Sequence, residues 1–166
     1  MVTAAPTTDL AVARRIAASV ADPEIPIITI EDLGVLRDVT IDADGVVHVT
    51  ITPTYSGCPA MDAIRDDIKG ALRNAGFEEV VVALVLSPAW STSWMSEDGK
   101  QKLRHYGIAP PSASPDRGPI PLSLCVRCPQ CGSPDTRELS RFGSTACKSL
   151  WQCNACAEPF DHFKDF

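Results

Sequence analysis

A chain of 166 residues, 45% hydrophobic and 22% charged, has room for one ordinary domain or for a domain and a small module, and its composition is that of a folded chain. Its formal net charge of -6 argues against a nucleic-acid partner, and no apolar run approaches the roughly eighteen residues that a membrane span needs. The charge is unevenly placed: residues 1–110 carry fifteen acids and nine Lys/Arg, whereas residues 111–166 carry six of each. Arg14-Arg15 precedes an apolar stretch too short for a leader peptide, and it runs into Asp22-Pro23-Glu24. With seven cysteines, an odd number, and no secretory segment, the expected compartment is a reducing cytoplasm.

The first element is a helix over about residues 9–21. Leu10, Ala13, Ile16, Ala17 and Val20 recur at helical spacing, Thr8 or Asp9 can cap it, and Pro23 stops it. Two strands follow. Val35, Arg37, Val39 and Ile41 share a face of the first; Val47, Val49 and Ile51 alternate with His48, Thr50 and Thr52 in the second. Asp44-Gly45 between them favours a tight hairpin. A second helix spans about residues 59–75, with Pro59 in its first turn, Met61, Ile64, Ile68, Ala71, Leu72 and Ala75 as its apolar stripe, and Gly76 just past its end. Val80–Leu86 is an unbroken apolar run, which reads as a strand buried on both faces. A short polar helix covers about Glu97 to His105. Five prolines within residues 109–121 mark a linker.

The strongest chemical signal lies near the carboxyl end. Cys128-Pro-Gln-Cys131 and Cys153-Asn-Ala-Cys156 are two Cys-x-x-Cys knuckles. Each places two soft sulfur donors on one ion, and two knuckles complete a tetrahedron. Zinc is favoured over iron, because two widely separated pairs suit a small ribbon. Phe160 is placed to pack beside the site. Cys125 makes a further Cys-x-x-Cys with Cys128, and Cys147 is left over, so another ligand set or an iron–sulfur cluster stays open. Arg127, Arg137, Arg141 and Lys148 read as a solvated basic face. His48, His105 and His162 show no ligand spacing, and the chain contains no phosphate loop, dinucleotide fingerprint or Glu-x-x-His pair.

Cys58 is the second candidate. Gly57-Cys58-Pro59 falls between a strand and a helix, which puts the thiol where helix N–H groups and the helix dipole favour its anion. The competing reading is a small buried hydrophobe. Thr52, Thr54, Tyr55 and Ser56 surround it with hydroxyls that bind a ligand or satisfy loop backbone. Asp22 and Glu24 are carboxylates able to reach the same rim. Trp90 and Trp94, in a polar loop, form a partner surface or lids over the sheet.

Asp22-Pro-Glu-Ile-Pro26, Asp32-Leu-Gly-Val35, Thr52-Pro-Thr-Tyr-Ser-Gly-Cys58-Pro59, Ser87-Pro-Ala-Trp90 and Gly107-Ile-Ala-Pro-Pro111 together resemble the PaaD family of phenylacetate degradation proteins, within the wider SufT-like iron–sulfur maturation family. Cys-Pro-Gln-Cys-Gly132 and Glu158-Pro-Phe-Asp-His-Phe-Lys164 match its tail. The resemblance implies an α+β body, in which a small mixed sheet packs against helices, followed by a zinc-ribbon-like module. The expected division is a maturation-type domain over 1–108, a linker over 109–121 and a four-cysteine ribbon over 122–166. It further implies a non-catalytic accessory of the phenylacetyl-CoA 1,2-epoxidase, with its oxygenase and reductase subunits as partners. Cys58 would hold or hand over iron or a cluster, near Asp22, Glu24, Thr52 and Thr54, and a single thiolate would need a dimer or a partner for further ligands. A structural oxygenase component with a structural zinc and a small iron-containing electron carrier are the rival readings.

Overall fold

The computed structural model describes residues 9–111 and 126–165. The chain divides into two compact units between Trp90 and Ser91.

In the first unit, helix α1 (Leu10–Ala18) is capped by Asp9, whose carboxylate accepts from the Ala11 and Val12 N–H groups at 2.9 and 3.4 Å. The helix ends earlier than the periodicity predicts. Its chain leaves the helix to close a loop, with Ala21 bridging Thr29 and the Ile30 N–H donating to the Val20 carbonyl. Strands β1 (Leu36–Ile41) and β2 (Val47–Ile51) form the expected antiparallel hairpin, with Gly45 at φ 84. Strict alternation fails in β1. A register shift between Leu36 and Asp38 turns Arg37 outward, so the buried positions are Leu36 and Val39. Val47, Val49 and Ile51 are fully buried, as their alternation predicts.

Helix α2 (Ala60–Asn74) buries Met61, Ile64, Ile68 and Leu72. The chain turns at Gly76, φ 96, and enters strand β3 (Val80–Leu84), parallel to β2. The order β1-β2-β3 leaves β3 at an edge. The expectation of a strand buried on both faces is therefore overturned. Only Val80 is buried, while Val81, Ala83 and Leu84 are exposed. Helices α1 and α2 pack together and against β1 and β3 respectively, and the core lies between them and the sheet. Each fully buried Ile or Leu there contributes about 1.5–3 kcal/mol.

In the second unit, a 3-10 turn (Thr92–Trp94) precedes helix α3 (Glu97–His105), which is capped by Ser96 and buries Leu103. Strand β4 (Ile108–Ala109) pairs in parallel with β7 (Pro159–Phe163), which lies antiparallel to β6 (Lys148–Cys153), and β6 to β5 (Thr136–Ser140). Residues 91–108 thus group with the ribbon rather than with the body. The expected linker falls outside the described residues from 112 to 121. Its first residue, Ala109, is a strand residue opposite His162.

Candidate functional site

The four knuckle sulfurs come together. Cys128 and Cys131 flank a turn closed by the Gly132 N–H on the Cys128 carbonyl; Cys153 ends β6, and Cys156 follows in the next turn. All four ligand atoms lie within 4.8 Å of one another, with Cys128 Sγ 3.8 Å from Cys156 Sγ and Cys131 Sγ 3.6 Å from Cys153 Sγ. Four sulfurs bound tetrahedrally at about 2.3 Å sit about 3.8 Å apart, so the cage fits a single zinc-sized ion. Cys128 and Cys153 form the floor, packed with Ala109, Val126, Phe160 and Trp151, while Cys131 and Cys156 face solvent.

The electrostatics fit a cation. The Cys156 N–H, against desolvation and with help from the Ala155 N–H, lowers the Cys153 thiol to about 7. The Ser133 N–H acts the same way on Cys131, but the neighbouring Cys153 sulfur and desolvation leave that thiol raised. At Cys156, the Glu158 N–H is outweighed by desolvation and by the three other sulfurs, and the thiol is pushed up to about 12. The Cys153 sulfur is prepared as an anion, while Cys131 and Cys156 resist ionising until a positive ion joins them. Cys147 is not among the four; it is buried, with Thr145 Oγ1 at 3.0 Å from its sulfur. Cys125 lies outside the described residues.

His162, buried on β7, makes an edge contact with Trp151 at 5.9 Å between ring centroids, and its Nε2 has no hydrogen-bond partner among the described residues. Burial lowers its pKa below the usual histidine value, with Asp165 and Glu138 pulling weakly the other way. The folded state therefore prefers neutral imidazole, and the unfolded chain takes up the proton below about pH 6.5. Stability from this group is present above that pH and is lost on acidification. Unfolding midpoints followed from pH 8 to pH 5 should fall more steeply for wild type than for His162→Phe. Proton-driven metal loss is common to both proteins, so equal slopes would show that His162 contributes nothing.

The second site is assembled by backbone hydrogen bonds. The Ile30 N–H donates to Val20, Val35 to Ile30, Thr52 to Val35 and Val85 to Ile51. Loop 22–35, the segment after β2 and the segment after β3 are thereby tied at one end of the sheet, where the parallel β2–β3 pair has its carboxyl ends. That is the usual place for a site on such a pair. Trp90 closes the group: its buried indole N–H donates to the Leu33 carbonyl at 2.9 Å. Cys58 is half-buried at the start of α2, and its N–H donates to the Tyr55 carbonyl. Pro59, at the helix N-cap, has no side chain able to cap the first turn. Thr52 is buried and Thr54 half-buried. Asp22 is buried, with Oδ1 accepting from the Glu24 and Ile25 N–H groups at 2.8 and 2.9 Å, which shapes its own loop; Glu24 is half-buried. Asp32 and Thr29, which exchange two hydrogen bonds across the same loop, escape a reading that looks only for exposed carboxylates. A groove of about 670 Å³ opens at the opposite end of the sheet, lined by Leu10, Phe77 and carboxylates such as Asp42, Asp44, Glu78 and Glu79. It contains no cysteine.

Residues 14–85 match a family model described as iron–sulfur cluster assembly protein, and residues 114–164 match one described as PaaD zinc beta ribbon domain. A protein of Escherichia coli (strain K12) named as one subunit of a "Putative 1,2-phenylacetyl-CoA epoxidase" is 49% identical over 145 residues, covering 87% of this chain and 86% of its own. The chain belongs to the PaaD family. Two further matches cover about half of this chain. "Fe-S protein maturation auxiliary factor YitW" of Bacillus subtilis (strain 168) is 38% identical, covering 51% of this chain and 82% of its own. A solved domain from Bacillus anthracis, described as DUF59, aligns with a TM-score of 0.52 at 32% identity, covering 57% of this chain and 90% of its own. The α+β body and the ribbon with its four-cysteine metal site are therefore features of the family as well as of this fold. No helix among the described residues is long and apolar enough to cross a membrane.

Proposed function

We propose that this protein is a non-catalytic accessory of a phenylacetyl-CoA 1,2-epoxidase system and assists assembly of iron or iron–sulfur centres in its oxygenase or reductase subunits. The observation that carries the reading is the half-buried Cys58, at the start of a fifteen-residue helix whose first turn lacks a side-chain cap. There the helix N–H groups and dipole favour a thiolate able to hold a soft metal transiently. The names of the relatives, an epoxidase subunit and iron–sulfur maturation factors, support the same reading. The iron species is cargo, and a single thiolate must share it with ligands from a partner or a second copy. The ribbon's resident ion is zinc in a structural role. The division of labour is a maturation-type body joined to a partner-recruiting ribbon, working in the cytoplasm without nucleic acid.

Cys58→Ser tests the proposal in cells whose growth on phenylacetate depends on this chain. The expected result is slow growth and an epoxidase several-fold depleted in iron, while the variant itself keeps its fold and its zinc. Normal growth with a fully metallated epoxidase would remove the cysteine's role. The word subunit in the relative's name favours a second reading, a permanent structural component. Stoichiometric co-purification with the catalytic subunits, undiminished in Cys58→Ser, is its signature.

A further inference from the structure

The most exposed large apolar side chain among the described residues is Phe142, with 71% of its surface open, and Leu139 on edge strand β5 is 47% open. Phe142 is held in place. The Phe142 N–H donates to Ser140 Oγ at 3.1 Å and the Gly143 N–H to the Lys148 carbonyl at 2.8 Å. Ser144 Oγ donates to Asp161 Oδ2 at 2.8 Å, and Asp161 also faces the buried Lys148 ammonium at 3.6 Å. A Cβ on Gly143 would stand 2.6 Å from Asp161 Oδ1 and 3.2 Å from the Lys148 backbone, so the glycine lets that loop lie close against β6 and β7. One face of the ring is occupied by the Lys164 ammonium, 4.8 Å from its centre. A loop pinned at so many points that still directs an aromatic ring into water is arranged as a preorganised anchor.

We propose that Phe142, with Leu139 beside it, is the apolar anchor of a protein-docking surface on the ribbon, and that its partner offers an apolar pocket rimmed by carboxylates. The partner's charge follows from the rim. The Lys164 ammonium lies on the ring and Arg141 adjoins it in the chain, Glu138 is the one acid between Thr136 and Cys147, and the Asp161 carboxylate behind the loop is paired with Lys148. A cationic rim around an aromatic anchor selects an acidic rim opposite and speeds encounter with it. Nucleic acid would meet the same cations, but one face of the Phe142 ring is already taken by Lys164, no second aromatic lies beside it between Thr136 and Cys147, and the whole chain is acidic. This surface depends neither on Cys58 nor on the identity of the client.

The test places the photo-cross-linker p-benzoylphenylalanine at position 142 of the full chain in cells, with the same probe at exposed Pro134 as control, and maps the adducts by mass spectrometry. The expected adduct is on one protein, at an apolar residue flanked by Asp or Glu, and it disappears when Arg141→Glu is added. With that protein purified, Phe142→Ser should bind at least about tenfold more weakly, the scale of a lost aromatic anchor, with unchanged metal content and unfolding midpoint. No adduct above the control, adducts on nucleic acid or on a second copy, or equal affinity for Phe142→Ser would each overturn the proposal. An adduct on an acidic pocket outside the epoxidase would uphold the surface and sink the epoxidase reading instead.

Discussion

Serine at position 153 is expected to release the ribbon's metal and unfold the unit that begins at Ser91. Cys153 has no exposed surface, ends β6 and has its thiol lowered to about 7 by the Cys156 N–H. A serine hydroxyl there would remain protonated and hold a soft ion poorly. A structural zinc contributes about 10–16 kcal/mol to folding of a small module, whereas the net stability of a whole domain is about 5–15 kcal/mol. The apolar cluster packed on the cage is small (Ala109, Val126, Cys128, Cys153, Phe160 and the flank of Trp151), and it is the ion that joins the two knuckles over it. Hydrogen exchange of the β6 and β7 amides, read with metal content, checks this. Both should collapse together in Cys153→Ser and in wild type stripped by a strong chelator. Full protection in a metal-free ribbon would show that packing alone suffices.

Trp90→Ala should destabilise the body by about 3–5 kcal/mol through the vacated volume, and by a further 1–3 kcal/mol or so where the Leu33 carbonyl loses its buried donor. The loss is large because Trp90 does two jobs at once. Its ring is buried, and its indole N–H satisfies the Leu33 carbonyl of the loop that also buries Ile28 and Ile30. Trp90→Phe separates the two, keeping most of the packing and losing mainly the donor, so it should cost about 1–3 kcal/mol. Urea denaturation of both variants provides the comparison. If the alanine variant lost less than about 1 kcal/mol, the indole would not be the tie that holds the three loops together.

Helices α1 and α2, the β1–β2 hairpin and the four-cysteine cage were legible because their determinants are local. A 3.6-residue apolar stripe, Asp44-Gly45 and two Cys-x-x-Cys turns need no knowledge of distant residues. What escaped was set by partners far along the chain. The shift at Arg37 depends on how β1 meets β2. The run Val80–Leu86 looks doubly buried until the sheet order puts it at an edge. Ala109 looked like the start of a proline linker and Ile108 like the end of the body, because two residues carry no strand signal without β7 beside them. At the second site, Cys58 and Thr52 stood out by residue type. Trp90 was visible as a tryptophan, but not as the donor to Leu33, since the pairing spans 57 residues.

The two residues of β4 also decide where this molecule can be divided. A fragment begun among the prolines would keep all four sulfurs of the cage yet leave the outer backbone of β7 bare. It would meet other copies with a sticky, unsatisfied border. A soluble ribbon has to be cut upstream of Thr92.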